Sequence, residues 1–454
     1  MVIRDSHPSM ASACCLRITK EEATSLSCTS CMVLPSSQSE IGFANLVTNL
    51  GFRLAVFYGA LFVVYGMHVP YTPVWLEWRG LTPGQISFVM AAPAFLRLLI
   101  TPAVALAADV RGNHRAMLIW LAWAALVSAL ALSQSVGFAL ILVFTVLLIL
   151  CNSTIMPLTE TIAVMGVRHA GLDYGRMRLW GSLTFLFASF IGGLAIEHFG
   201  GGAGVWLVVL GCVMTLAGAL FLPLLPAEAE EGVTPAPIWQ AREPRALLSS
   251  PAFILFLLAA GGAQAAHATF LTFGTLIWKH QGLSGGWAGA LWAIGVLCEV
   301  AIFARSGALI AKIGPVSLLM AGAAVSVLRW GLMAFDLPLP ALIAVQTLHG
   351  VTYGATHVAA IHFIHQAVPR SASGSAQALY ATVSAGLAMG LATLIAGQLY
   401  ADYGAPVSYL AMAVIALLSL AAAWRLSWVW DGQPLIAGDQ RPKVELEASR
   451  LPPC

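Results

Sequence analysis

Apolar runs of about 20 residues, long enough to cross a hydrocarbon layer of about 30 Å as a helix, recur along this chain. Short breaks of Gly, Pro and charged residues separate them. Runs such as Ala116 to Leu132 are apolar on every face, whereas the strands of a membrane barrel would alternate polar with apolar, so the pattern predicts a helix bundle. Reading block by block gives about twelve spans, starting near Phe52, Gln85, Ala116, Gly137, Leu179, Val205, Pro251, Trp287, Pro315, Pro340, Ser375 and Pro406. The expected fold class is therefore all-α integral membrane.

An even number of spans puts both termini on one side, and the basic residues indicate which side. Arg53, Arg111, Arg115, Arg168, Arg176, Arg178, Arg242, Arg245, Arg305, Lys312, Arg370 and Arg425 fall in loops on one side, with both tails; Arg79 and Lys279 fall on the other. Both termini are expected in the cytoplasm, with the protein in the cell (inner) membrane. The Pro- and Glu-bearing stretch 226–250 divides the spans six and six. The expected organisation is a disordered N-terminal tail (1–50), a six-helix bundle (51–225), a cytoplasmic linker (226–250), a second six-helix bundle (251–430) and a C-terminal tail (431–454). Residues 1 to about 45 lack the apolar stretch of a signal peptide.

The two halves share sequence. A-L-A-A-D-V-R-G from Ala105 to Gly112 aligns with G-A-L-I-A-K-I-G from Gly307 to Gly314 at an offset of 202, and Ile191–Gly200 aligns with Ile395–Gly404 at an offset of 204. A duplicated six-span unit is a transporter architecture, with its site near mid-membrane between the repeats.

Composition narrows the possibilities further. The chain is 59% hydrophobic and 9% charged, with mean hydropathy +0.84. That excludes a soluble enzyme, and a net charge of +2 without a clustered basic face excludes a nucleic-acid binder. No Walker-type phosphate loop, H-E-x-x-H or G-x-S-x-G is present. Cys28 and Cys31 form a C-x-x-C in the polar tail, and His362 and His365 an H-x-x-H; neither has the further ligands of a structural metal site, so no cofactor or metal is expected.

The loop from Asp109 to Arg115, D-V-R-G-N-H-R, resembles the signature between spans 2 and 3 of the major facilitator superfamily, with Asp109, Gly112 and Arg115 on its key positions. The second copy has Ala311 in place of the acid. R-L-L-I-T-P from Arg97, Y-G-R-M-R-L-W-G-S from Tyr174, Glu299, Arg329-Trp330, L-H-G from Leu348 and Q-A-L-Y from Gln377 resemble the phenylpropionate-permease-like group, near the nucleoside:proton and oligosaccharide:proton symporters. The resemblance covers about Arg53 to Trp430. It implies two pseudo-symmetric six-helix bundles, a gating role for Asp109, Gly112 and Arg115, and an aromatic acid as substrate.

Ionisable residues inside spans cost on the order of 2.5–3.5 kcal/mol at a helix centre and are functional hypotheses by default. They are Arg97, Glu160, Glu299 and Arg329. Glu160 follows Pro157 in a polar stretch with Asn152, and either titrates or binds substrate or forms a structural ion pair. Arg97 and Glu299 sit at repeat-related positions, 202 apart, and serve either coupling or pairing within each half. Arg329 belongs to a span that is peripheral in the resembled fold, which favours packing or snorkelling. His349, Tyr353 and His357, at steps of four, form one helical stripe for protons or substrate; His68 and His267 read as packing residues.

The expected function is a secondary active transporter, working as a monomer, that imports an aromatic or other organic acid with protons by alternating access. A nucleoside or sugar proton symporter, or an exporter or facilitator of the same fold, is the alternative. Loops this short disfavour a membrane enzyme acting on lipid-linked substrates, and no pore-lining pattern of a channel is seen. The partners are a small solute, protons and the lipid bilayer.

Overall fold

The computed structural model describes residues 37–111, 113–170, 172–223 and 242–436, with side chains from residue 50 onward except at 109, 168–170 and 242–243. Asp109 is helical, but its side chain, Gly112, the linker up to residue 241, the tail cysteines and the C-terminal tail from residue 437 lie outside the described residues. Among those residues every regular element is helical, as a chain without water to satisfy its backbone requires.

The first helices are α1 (Ser37–Trp78), α2 (Pro83–Arg111), α3 (His114–Gln134), α4 (Phe138–Ala170), α5 (Tyr174–Phe199) and α6 (Ala203–Phe221). Helix α1 begins at Ser37, so the last part of the expected tail is helical. After the linker come α7 (Arg242–Leu248), α8 (Pro251–Ala265), α9 (Ala268–His280), α10 (Gly285–Ala304), α11 (Ser306–Ile313), α12 (Pro315–Met333), α13 (Leu339–Thr347), α14 (Thr356–Ala367), α15 (Ser373–Ala381) and α16 (Met389–Val429). Side-chain caps mark several starts: Asn113 accepts from the Ala116 amide at 2.9 Å, and Asp173 from that of Arg176 at 3.1 Å.

Ten of these segments are long and apolar enough to cross a membrane. The tenth, Arg370–Val429, has 60 residues, about twice what one crossing needs. It bends at Gly404, where φ is 80°. A further segment, Leu339–Ala367, is interrupted by a π turn at Gly350–Ala355. The described residues thus hold ten such spans, and the expected twelve would require dividing the tenth at Gly404 and adding this interrupted segment.

The repeat reappears in the backbone. Left-handed glycines close α1 at Gly80 (φ 83°) and α9 at Gly282 (φ 84°), 202 residues apart. A second pair, Gly200 (φ 79°) and Gly404 (φ 80°), lies 204 apart. Only a residue without Cβ takes this conformation cheaply, so the same turn is built twice from the same residue type.

The later helices are broken where the earlier ones are not. Helices α8 and α9 part at His267, α13 and α14 at the first π turn, and α15 and α16 at a second, Thr382–Ala388. Breaks inside a span are tolerated where side chains or a cavity satisfy the freed backbone groups. His267 does this directly, its Nδ1 lying 3.0 Å from the Ala263 carbonyl.

Candidate functional site

A buried polar network fills the space beside these breaks. Arg329 on α12 is wholly buried. Its Nη1 lies 3.0 Å from His349 Nδ1 and donates to Thr352 Oγ1 at 2.9 Å, while Nη2 donates to Gln346 Oε1 at 2.9 Å. The guanidinium also lies over the rings of Trp330 (4.5 Å) and Phe270 (4.9 Å). It therefore does not snorkel to an interface, and it forms the centre of the network rather than its periphery. His267 Nε2 reaches Thr352 Oγ1 at 3.2 Å, and Gln264 Nε2 donates to Thr356 Oγ1 at 3.1 Å. These hydroxyls and amides pair with one another, while Gln346 Nε2 and Arg329 Nε have no hydrogen-bond partner among the described residues.

Glu299 on α10 faces this network. Its Oε2 is 3.8 Å from His349 Nε2, and Tyr353 stacks on the His349 ring with centroids 5.4 Å apart. The backbones approach closely here because Gly354 is seated against Glu299: a Cβ at Gly354 would lie 3.1 Å from Glu299 Cγ. A guanidinium can only donate, so His349 Nδ1 accepts from Arg329 and the ring hydrogen sits on Nε2, aimed at the carboxylate.

Residues of the first six helices meet this set from the other side. Arg97 on α2 donates its Nη2 to the carbonyl of Ala385 in the second π turn, and it is an electrostatic neighbour of Tyr65 and Tyr353. Among the described residues no carboxylate pairs with it. Arg178, read from sequence as a loop residue, lies inside α5. It forms an ion pair with Glu160 at 3.8 Å and lies over Phe62 at 4.0 Å. Arg178 is also within electrostatic range of Glu299, Tyr353 and His357. The i, i+4 spacing of Tyr174 and Arg178 in the Y-G-R-M-R motif was the available signal for a helical, inward-facing arginine.

The remaining candidates divide. His357 is exposed on α14 and its ring centroid is 6.4 Å from that of Phe303. Asn152 is buried in α4, and its carbonyl accepts from Tyr65 Oη at 2.8 Å. Its side-chain amide has no hydrogen-bond partner among the described residues. His68 packs within α1, bonded to Thr72 Oγ1 at 2.7 Å. Of the three signature positions Asp109, Gly112 and Arg115, the side chain of Arg115 is described: Nε donates to the Leu222 carbonyl at 2.6 Å and Nη2 to that of Leu220 at 2.9 Å, capping the end of α6.

At one end of the bundle, polar contacts join the first six helices to the later ones. There Glu77 takes Lys279 Nζ at 3.3 Å and His280 Nε2 at 3.0 Å, and Glu197 Oε2 accepts the Gly286 amide at 2.8 Å. The opposite ends of α4 and α5, carrying Glu160 and Arg178, lie beyond this clasp. Two sets of helices with a charged site between them, clasped at one end, define a membrane transporter by class.

The comparisons with known proteins place it more closely. The chain belongs to the major facilitator superfamily: the MFS_1 like family matches residues 52–411. It is 32% identical over 364 residues to the probable 3-phenylpropionic acid transporter of Escherichia coli (strain K12), covering 80% of this chain and 94% of that protein. It is 28% identical over 375 residues to the maltose permease of Geobacillus stearothermophilus, covering 80% and 91%. Its fold is similar to the nucleoside transporter NupG, with TM-score 0.73, 15% identity, and coverage of 84% of this chain and 99% of that one. The protein is a multi-pass membrane protein and a secondary transporter of this superfamily, and the resemblance carried by its motifs holds.

Proposed function

We propose that this transporter imports a small organic acid, with an aromatic acid such as 3-phenylpropionate favoured, together with protons. The observation that carries the reading is Arg97. A half-buried guanidinium in mid-span, bonded to a neutral carbonyl and paired with no carboxylate among the described residues, is a cation awaiting an anion. Arg178 is already paired with Glu160, which leaves the anion to Arg97. The similarity to a 3-phenylpropionic acid transporter supports an aromatic acid, and Tyr65 and Phe62 supply flanking rings.

In this reading Glu299 takes and releases the proton. His349, held in one tautomer by Arg329, presents N–H to the carboxylate when it is ionised, and stays neutral because a second ring proton would face the guanidinium. The two bundles, 51–225 and 251–430, rock about the site, with 226–250 linking them, both termini in the cytoplasm and the clasp of Glu77 with Lys279 and His280 on the outer side.

The test is ligand stabilisation measured by thermal shift across aromatic acids, their amides, nucleosides and sugars, since a ligand stabilises the state it binds. Stabilisation by the acids, lost in Arg97→Met, is expected. Stabilisation by a sugar or nucleoside alone would replace the substrate class.

A further inference from the structure

We propose that Arg97 discriminates anionic from neutral solutes at the transport step itself, by serving as a latch between the bundles that a bound anion releases and a neutral solute of the same shape does not. The inference rests on the reading of Arg97 as the anion site and concerns what that residue does before the anion arrives.

Three observations converge on it. The Arg97 bond to Ala385 joins helices from opposite halves, so it must change when those halves separate. Its acceptor lies in the second π turn, Thr382–Ala388; such a turn departs from the α-helical ladder and is a recurrent feature of functional sites. The bond is also set in a seam of α2 side chains seated on glycines of the later helix. A Cβ at Gly386 would fall 3.1 Å from Leu98 Cγ, and one at Gly390 only 2.7 Å from Phe95 Cζ. With Leu98 and Phe95 in place, larger residues at those two positions would hold α2 away and leave Arg97 out of reach of Ala385, whereas shortening Leu98 makes room for a side chain at position 386.

A peptide carbonyl is a neutral acceptor. A carboxylate binds a guanidinium through charge-assisted, often bidentate, hydrogen bonds about twice as strong. Nη2 has two N–H groups, one on each bidentate edge of the guanidinium, and Ala385 takes one of them. A carboxylate that takes that edge competes directly with the carbonyl that ties the seam together. A neutral amide of the same shape fills the space and offers no such competition. The empty carrier keeps its seam and so reorients more slowly than the loaded one, in which the anion has opened it.

The latch is tested by disulfide formation between Leu98→Cys and Gly386→Cys in the full-length chain with its eight native cysteines replaced. Oxidation rates would be read with Arg97 retained and with Arg97→Met added, with thermal unfolding recorded for each. A hydrogen bond to a charged group contributes about 1.5–3 kcal/mol, so adding Arg97→Met should slow cross-linking about tenfold or more without ligand. In the Arg97 protein, saturating 3-phenylpropionate should slow it comparably, and 3-phenylpropionamide should leave it unchanged.

An unchanged rate on Arg97→Met overturns the latch. A rate that drops on Arg97→Met but ignores 3-phenylpropionate, when thermal shift shows the acid bound, overturns release by the anion. Equal slowing by acid and amide overturns the discrimination. If the acid fails to stabilise the protein, the proposed substrate is wrong, while the ligand-free comparison still decides whether the latch exists.

Discussion

Replacing Arg329 by Met keeps most of the side-chain volume and removes the charge at the centre of the buried network. His349 Nδ1 and Gln346 Oε1 each lose a donor at 3.0 and 2.9 Å, while Thr352 Oγ1 retains His267 at 3.2 Å. Two newly unpartnered buried groups cost about 1–3 kcal/mol each. Relief from burying a guanidinium offsets part of this, since taking one ion out of water costs several kcal/mol. The expected net loss is about 2–3 kcal/mol, a fall of roughly 5 °C in the unfolding midpoint. Tryptophan-fluorescence melting in detergent reads it, and a cycle with His349→Leu should give a coupling of about 1 kcal/mol or more between the two positions. Function separates this from packing. With His349 no longer held in one tautomer, uphill uptake should fall further than substrate exchange. An Arg329→Met protein that melts with the wild type and is additive with His349→Leu would refute the network as the organising element of the site.

Glu299→Gln is expected to abolish gradient-driven accumulation while leaving counterflow exchange at least half intact, because the amide keeps the shape and loses the proton; equal loss of both activities contradicts a coupling role. Glu160→Gln should instead tighten binding of the acid, because it frees the Arg178 guanidinium paired at 3.8 Å, seen as a lowered KM for exchange and accumulation alike. Glu77→Gln loosens a clasp whose partners are about half exposed, so it is worth at most about 1 kcal/mol, or a two- to fivefold change in open population. Labelling of a near-isosteric cysteine at Ser284 should speed up by that factor, and less so at high salt. Arg115→Met removes two hydrogen bonds from the end of α6, and amide hydrogen exchange over residues 216–222 should rise by about tenfold.

What the sequence revealed followed from solvent and symmetry. A lipid surround forces apolar helices of fixed length, so spans, breaks and the duplication could be read from Ala105–Gly112 against Gly307–Gly314 without any contact information. Burial of a charge is equally legible, and Arg97, Glu160, Glu299 and Arg329 all stood out from their apolar neighbours. Partnership was not legible. Arg329 looked peripheral because its span is, and only tertiary packing brings it against His349, Gln346 and Thr352 from α12 across to the first π turn. Arg178 looked like a loop residue because it follows a basic stretch, and the helix starting at Tyr174 carries it inward to Glu160. The helix breaks at His267, Gly350–Ala355 and Thr382–Ala388 had no proline to announce them; side-chain hydrogen bonds and glycine contacts between helices sustain them.

Transport in proteoliposomes tests the central claim most directly. Purified protein is reconstituted with an alkaline interior, and accumulation of labelled 3-phenylpropionate is followed beside protein-free vesicles, which correct for permeation of the neutral acid, and beside Arg97→Met and Glu299→Gln. The account predicts protein-dependent accumulation above the external concentration that collapses with a protonophore, disappears in Arg97→Met, and gives way to exchange alone in Glu299→Gln. Uptake that ignores the gradient, or that survives unchanged in both variants, would contradict it.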